Sequence, residues 1–392
     1  MELGFSEEQT MLRDMLQRLC TDVAPLSVAR SVEFCEPGYC EPLWRALSDL
    51  GIAGLRVDDS AGGLGLGALD AAIVYEQFGR VLASTPHHVS SILAAELLRN
   101  IGSAAQRERW LPALATGAAI VSVASLERGG DYQRDGVQLT AQRDGSGWLL
   151  SGAKQFVPFA NGADAFIVLA RSGEQIIALL VDAEAAGLTR RYQNNLAGEA
   201  LYALTFDTVR VALDAALGDA ADCWPHWQRT LCDGAIPWAA QAVGAAARVH
   251  EIAVDYAKQR EAFGRPIGGF QALAHYLADT LVAIEGCRTL VYHAAWARDN
   301  SAPFECLAAM AKLQACAVFR RTAAVAIQIH GGFGYTLEGD PQLFFRRAKQ
   351  WQSLHWDERH LERRIAELLL DTRDDNGASE FSPALVKDCA HV

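Results

Sequence analysis

The chain has 392 residues, of which 51% are apolar and 21% charged, so it is long enough for two or three packed domains. Its formal charge of −12 excludes nucleic acid and anionic membrane surfaces as main partners, because both repel an acidic protein. The nine cysteines show neither C-x-x-C nor metal-ligand spacing, which predicts reduced thiols, no metal site and a cytoplasmic protein. We expect no signal peptide and no membrane span.

Residues 1–118 predict an N-terminal all-α domain, because apolar residues recur at helical spacing. Ser6 and Gln9 have the form of a capping box, in which each side chain satisfies a backbone donor at the start of a helix. His87 and His88 are adjacent and lack a third ligand nearby, which indicates a solvated or capping pair and not a metal site. The predicted helices begin after Ser6 and cover about 42–50, 68–78 and 91–114.

The hydrophobic period changes near residue 119, and 119–222 predict a small β-domain. Short apolar runs alternate with Gly, Asp and Asn, which is the pattern of strands and turns. We expect these strands to form one domain inserted between helical domains. The predicted strands cover 120–123, 137–141, 148–150, 165–170, 176–181 and 201–211.

Residues 223–372 predict a C-terminal helical bundle, and 373–392 a flexible tail of low apolar content. Four long amphipathic segments favour a four-helix bundle, so the fold class is α+β. No glycine interrupts the fourth segment after Phe344, and we expect it to continue as one helix to Leu370. The four segments cover about 224–259, 271–297, 304–329 and 341–370.

A glycine turn followed by cationic residues marks a candidate binding site. Gly331, Gly332 and Gly334 would end a helix and let backbone amides approach a ligand, because glycine has no side chain in the way. Arg346 and Lys349 follow on the next helical segment. This arrangement predicts a site for an anionic or polar cofactor.

Three segments resemble the flavin-dependent acyl-CoA dehydrogenase family, and the resemblance covers most of the chain. Residues 328–349 are similar to the family's C-terminal signature, 260–271 to an R-x-x-F-G…Q element, and 152–164 to a strand and turn of its β-domain. The resemblance implies a middle β-barrel-like domain between an all-α domain and a four-helix bundle. It also implies FAD as the cofactor, an acyl-CoA thioester as the substrate and α,β-dehydrogenation as the reaction.

The resemblance assigns cofactor contacts to two sets of residues. In the family's homotetramers, one set reaches into the neighbour's flavin site, and this chain keeps it. The other set lies along the subunit's own flavin, and it is altered here: Leu126 lies in a changed segment, while Phe156 and Pro158 replace a Trp and a Thr. Proline offers no hydrogen-bond donor to the flavin. The kept set, called the donor set below, comprises Arg260, Phe263, Gln271, Gln328, Gly331 and Gly332.

The family's usual catalytic base is missing from this sequence. In the family, the Glu of a Glu-Gly-Thr removes the α-proton of the thioester, and here His355, Trp356 and Asp357 stand at those positions. Some relatives take the carboxylate from the first bundle helix, and that position is Gly234. Residues 356–360 could also be a solvated helix face. The candidates for a displaced base are His355, Asp357, Glu358 and Asp233.

Three hypotheses account for this pattern of kept and lost residues. The first is an acyl-CoA dehydrogenase subunit that lacks the base and shares FAD with a related partner chain in an α2β2 heterotetramer. The resemblance associates that branch with lipid or steroid catabolism and with bulky acyl groups such as steroid side chains. The second is a self-sufficient flavoenzyme with a displaced base, assembled as a homotetramer. The third is a flavin-free protein that uses the fold as an assembly scaffold.

Overall fold

The computed structural model describes residues 4–130 and 132–371, so the predicted tail at 373–392 lies outside the described residues. The first part of the chain is helical, as predicted. Gln9 N donates to Ser6 Oγ at 3.1 Å and Ser6 N donates to Gln9 Oε1 at 3.2 Å, which is the predicted capping box. The helices are α1 (Glu7–Val23), α2 (Leu26–Ser31), α3 (Glu41–Asp49), α4 (Ala68–Arg80), α5 (Ala95–Ile101) and α6 (Ala104–Ala115), with a π-helical segment, His88–Ala94, before α5.

Seven strands form one mixed, curled sheet in the middle of the chain, with the order β1-β4-β2-β3-β7-β6 and β5 paired to β4. The long antiparallel pair of β3 and β7 contains register shifts around Gly152 and between Lys154 and Val157. Such bulges bend a strand and redirect its side chains. The strands are β1 (Val121–Ala124), β2 (Thr140–Asp144), β3 (Gly147–Pro158), β4 (Ala165–Ser172), β5 (Gln175–Asp182), β6 (Leu188–Tyr192) and β7 (Leu201–Ala212).

The third part is the expected helical bundle, which confirms the α+β fold class. Its central helix, α7, crosses α4 where Gly79 faces Gly244, and a Cβ at either position would overlap a backbone carbonyl of the facing helix. The two helices therefore approach closely because both residues lack side chains. The elements are α7 (Trp224–Gln259), the hairpin strands β8 (Glu261–Ala262) and β9 (Arg265–Pro266), α8 (Gln271–Asp299), α9 (Glu305–His330), α10 (Pro341–Trp351) and α11 (Glu358–Ala366).

The prediction of one unbroken fourth helix was wrong. The segment ends at Trp351 and resumes at Glu358, and a turn lies between the two helices. His355 and Trp356 in this turn have φ values of +52° and +75°, which no helix accommodates. Asp357 begins α11, because its side chain accepts a hydrogen bond from His360 N at 2.8 Å.

The prediction that His87 and His88 form a solvated or capping pair was wrong for His87, while His88 is only partly buried. His87 is fully buried, and its Nε2 donates to the carbonyl of Ile52 at 2.8 Å. Its Nδ1 therefore accepts from the hydroxyl of Tyr75, also at 2.8 Å. Burial lowers the pKa of each histidine to about 4, so both imidazoles are neutral.

Among the helices of the described residues, none combines the length and the apolar character that a membrane crossing requires.

Candidate active site

An open cavity lies where the sheet, the segment after α4 and the first half of α7 meet. It brings together four of the predicted site residues: Leu126, Phe156, Pro158 and His355. Its other lining residues include three tryptophans, Trp227, Trp238 and Trp351. Large concave sites with apolar walls and a few polar groups are the usual places for ligands and catalysis.

The sheet supplies a flat, apolar wall of this cavity. Phe156 sits at the β-bulge with a φ of +54°, and its ring is 40% exposed. The bulge is held from both sides, because Phe156 N donates to Gln193 Oε1 at 2.7 Å and Gln155 N donates to Leu126 O at 2.8 Å. A strained residue next to a bulge is a common feature of binding sites.

A buried ion pair supports this wall from behind. Lys154 is 0% exposed, and its Nζ donates to Glu127 Oε1 at 2.7 Å and to Ser125 O at 3.2 Å. The same Glu127 oxygen accepts from the amides of Gln138 and Leu139, each at 2.9 Å. Burial lowers the pKa of Lys154 to about 8, against the opposing charge of Glu127. The loop that carries Leu126 is thereby fixed against β3.

The wall fits the isoalloxazine ring that the sequence resemblance implies. Leu126, Phe156 and Pro158 provide an apolar surface for the face of a planar ring, and Ser125 and Gln155 line the same cavity with polar groups. Beside Leu126, the backbone at Gly129 and Gly130 is open, since no atom lies within 4 Å of a Cβ built at either position. Asp131, which follows in this segment, lies outside the described residues.

The opposite wall carries His355 at the position of the family's base. His355 is buried, and its Nε2 donates to the carbonyl of Leu231 at 2.7 Å, so the lone pair is on Nδ1. Burial holds the pKa of His355 well below its ordinary value, and His88 and Lys312 lower this pKa further. A buried neutral imidazole of low pKa is a weak proton acceptor at neutral pH.

His355 also fills the space at the second position where relatives carry a base. A Cβ built on Gly234 would lie 2.5 Å from Cδ2 of Leu93 and 2.8 Å from Cε1 of His355. The His355 ring stacks on Trp238 at 5.8 Å with 13° between the planes, and the His88 ring contacts both edge-on. His88 Nε2 donates to Gly234 O at 2.9 Å. A side chain at residue 234 would therefore require Leu93 and His355 to move.

The other three base candidates lie outside the cavity lining. Asp233 is 0% exposed, and its Oδ1 accepts from Arg298 Nε at 2.6 Å and Arg56 Nη1 at 3.2 Å. Asp357 caps α11, and Glu358 is exposed in the first turn of that helix. These contacts give Asp233 and Asp357 structural roles, and Glu358 faces solvent.

The donor set lies together at the other end of the bundle. The C-terminal ends of α7 and α9 are adjacent, because the rings of Tyr256 and His330 stack at 4.1 Å, and α8 begins at the same end. Arg260 lies 22 residues after Trp238, which lines the cavity. At 1.5 Å per residue, this part of α7 is about 33 Å long. The donor set and the cavity of one chain therefore cannot contact the same flavin ring.

All members of the donor set are exposed in the single chain. Phe263 is 94% exposed at the tip of the β8–β9 hairpin, where it and Gly264 both have positive φ. A two-residue turn of this type projects its side chains away from the body of the protein. Gly331 ends α9 with a φ of +61°, and space is open around a Cβ at Gly331 or Gly332.

Sequence reasoning missed two charged residues beside the cavity, Glu199 and Lys312. Glu199 is the one carboxylate among the described residues that line the cavity. Its Oε1 accepts from Arg347 Nη1 at 2.7 Å and Trp351 Nε1 at 2.9 Å, and its Oε2 from Gln350 Nε2 at 2.6 Å. These contacts hold both oxygens of Glu199 against α10. No local sequence signal marks either residue, because both act through contacts distant in sequence.

Comparisons with known proteins give matches over most of the chain. The sequence profile of the acyl-CoA dehydrogenase N-terminal domain matches residues 6–118, and that of the C-terminal domain matches residues 223–354. The short-chain specific acyl-CoA dehydrogenase of human mitochondria is 33% identical over 357 residues, which cover 88% of this chain and 86% of that protein.

Two solved structures of two-chain proteins have the same fold. The steroid ACAD Tcur3481–Tcur3483 matches with a TM-score of 0.83 and 32% identity, over 93% of this chain and 98% of the matched chain. The ChsE4–ChsE5 complex from Mycobacterium tuberculosis matches with a TM-score of 0.87 and 26% identity, over 95% of this chain and 100% of the matched chain.

Proposed function

Because the chain belongs to the acyl-CoA dehydrogenase family of FAD-dependent oxidoreductases, we propose that it is a subunit that shares FAD with a second, related chain. In this proposal, the donor set completes a flavin site whose ring lies against the partner's sheet. The partner supplies the carboxylate that removes the α-proton of the acyl-CoA thioester. FAD supplies the hydride acceptor of this reaction.

The separation of the donor set from the cavity carries the proposal. The exposed Phe263 and the open glycine turn cannot contact a flavin ring in the cavity of their own chain. About 33 Å of helix α7 separates this end of the bundle from the cavity. An aromatic ring that is 94% exposed gains free energy when a partner covers it. The donor set is therefore suited to a cofactor held by an adjoining chain.

The surroundings of His355 support the proposal that the partner chain supplies the catalytic carboxylate. A catalytic base for α-proton removal needs a pKa near the working pH. The pKa of His355 is held well below its ordinary value by burial, and the carboxylates nearest to both base positions are ion-paired or act as helix caps. The described residues around the cavity thus supply no evident base.

The two-chain relatives support an α2β2 assembly with a related dehydrogenase chain. One of them is a steroid ACAD, which favours a bulky acyl group such as a steroid side chain for the shared site.

We keep the domain boundaries after residues 118 and 222 as part of the proposal. Membership of an FAD-dependent family argues against the flavin-free scaffold.

A self-sufficient enzyme is the second candidate, and the formed cavity with His355 inside favours it. The two candidates differ in what the isolated chain can do. The experiment is to purify this chain alone and together with the dehydrogenase chain encoded beside it, and to measure acyl-CoA oxidation with an artificial electron acceptor. We expect activity only in the mixed preparation. A yellow, active preparation of the single chain would contradict the partner requirement.

If the single chain is active, His355→Gln decides whether the imidazole is its base. Loss of a general base costs about a hundredfold or more in rate. Glu358→Gln serves as the comparison, because Glu358 lies outside the cavity lining and is exposed in the first turn of α11.

A further inference from the structure

A buried amine spans the turn that carries His355. Lys312 lies on α9 and is 0% exposed. Its Nζ donates to Trp351 O at 3.2 Å and to Trp356 O at 2.6 Å. The first carbonyl belongs to the last residue of α10, and the second immediately precedes the N-cap of α11. One ammonium group therefore connects the two ends of the turn.

The position of this amine explains why the fold tolerates its burial. Removing an ammonium group from water is strongly unfavourable unless other groups compensate. Here the last turn of α10 contributes the partial negative charge of its free carbonyls. Burial lowers the pKa of Lys312, while Cys316 and Asp357 act in the opposite direction. The amine thus lies where an α-helix favours a cation.

The turn itself needs such support. His355 and Trp356 are consecutive non-glycine residues with left-handed φ values, a backbone conformation that is unfavourable for residues with a side chain. Where the resemblance implies a glycine, this chain carries Trp356, whose side chain is 0% exposed. Glycine would adopt that φ without penalty. The hydrogen bonds of Lys312 offset a strain that glycine would avoid.

We propose that Lys312 is a positioning residue, whose two hydrogen bonds fix the left-handed turn so that residue 355 faces the cavity. This role goes beyond the proposed function, because it holds whether or not His355 takes part in chemistry. The side chain of Lys312 acts only through the backbone of the turn and does not line the cavity.

The pKa of His355 can be measured to test this role, because a loss of stability alone would not change it. The titratable groups that face His355 are His88, from the segment before α5, and Lys312, from α9. Both lower the pKa of His355, and so does its burial. When Lys312 loses its charge and its hydrogen bonds, the turn relaxes toward solvent. The imidazole then becomes able to titrate in its ordinary range, between about pH 5 and 8.

The test uses the full chain with its partner, labelled at histidine Cε1 and observed by NMR. The resonance of His355 is identified by its loss in His355→Gln. In the natural chain we expect this resonance to stay constant between about pH 5 and 8. Lys312→Met should shift it and introduce a titration step, whereas Lys312→Arg should leave it as in the natural chain. Lys258→Met, at an exposed lysine of α7, is the matched control and should have no effect.

Hydrogen exchange gives a second readout of the same turn. We expect the amides of residues 352–356 to exchange at least tenfold faster in Lys312→Met, with those of α1 unchanged. A folded Lys312→Met with the natural His355 resonance and natural exchange would overturn the proposal. If Lys312→Met does not fold, Lys312→Gln is compared with Lys312→Arg, and identical His355 spectra in these two variants would equally overturn it.

Discussion

The exposed ring of Phe263 offers a direct test of the donor set. In the single chain it is 94% exposed and lies edge-on to Phe270, at 6.1 Å between ring centroids. Phe263→Ala should therefore change the free energy of unfolding of the isolated chain by no more than about 0.5 kcal/mol. Full burial of a phenylalanine against a partner contributes about 1.5–3 kcal/mol. At 1.4 kcal/mol per factor of ten, the variant should bind FAD in the assembly about tenfold to a hundredfold more weakly.

The assay combines two measurements on the same variant. Urea unfolding of the isolated chain gives the stability change, and titration of the flavin-free assembly with FAD, followed by flavin fluorescence, gives the dissociation constant. Met11→Ala is the matched control, because Met11 is a large apolar residue on α1 that is 71% exposed. It should change neither quantity. The reasoning is refuted if Phe263→Ala leaves FAD affinity unchanged, or if it destabilises the isolated chain by the whole predicted amount.

Three further predictions concern the cavity and its surroundings. Asp233→Asn should lower the free energy of unfolding by about 3–5 kcal/mol, because it leaves two guanidinium groups without their buried carboxylate. If the variant is instead stable and loses activity a hundredfold, Asp233 is a catalytic base. His355→Glu places a carboxylate in the cavity, and we expect the rate of flavin reduction at this chain's own site, measured by stopped flow, to rise about a hundredfold or more. An unchanged rate would show that the site lacks more than a base. The pKa of His88 is lowered to about 4, below the unfolded value of about 6.5, so its stabilising contribution is present above pH 6.5 and is lost as pH falls toward 4. At pH 5 this loss is about 2 kcal/mol relative to pH 7, and His88→Gln should remove it in urea unfolding curves; equal pH dependence of both proteins would contradict the assignment.

Elements with strong local signals were predictable from the sequence. The capping box at Ser6, the change of period near residue 119 and the glycine turn at Gly331 all correspond to observed features. Strand β6 was missed, because its residues alternate between half-buried and exposed and two of the five are charged. Such a polar strand at a sheet edge resembles a loop in sequence.

The turn after α10 could not be predicted from local sequence. A helix break usually requires glycine or proline, and here His355 and Trp356 adopt left-handed conformations instead. Contacts distant in sequence hold them, since Leu231 is 124 residues from His355 and Lys312 is 44 residues from Trp356. One local signal was available, because Asp357 is a favourable N-cap for the helix that follows.

The candidate site could be predicted only in part. The sequence identified Leu126, Phe156, Pro158 and His355, and the structure places all four around one cavity. Spacing alone could not show that Asp233, one residue from a base position, pairs with two arginines. The sequence shows which residues are candidates for a site, whereas the direction in which each side chain points depends on tertiary packing.

The most direct test of the shared flavin is a structure of the assembled complex with FAD bound. The account predicts that Arg260 and Gln328 of this chain contact an FAD whose ring lies against the sheet of the partner chain, with a carboxylate of the partner beside the ring. An FAD enclosed entirely by copies of this chain, with one of its own carboxylates beside the ring, would contradict the account.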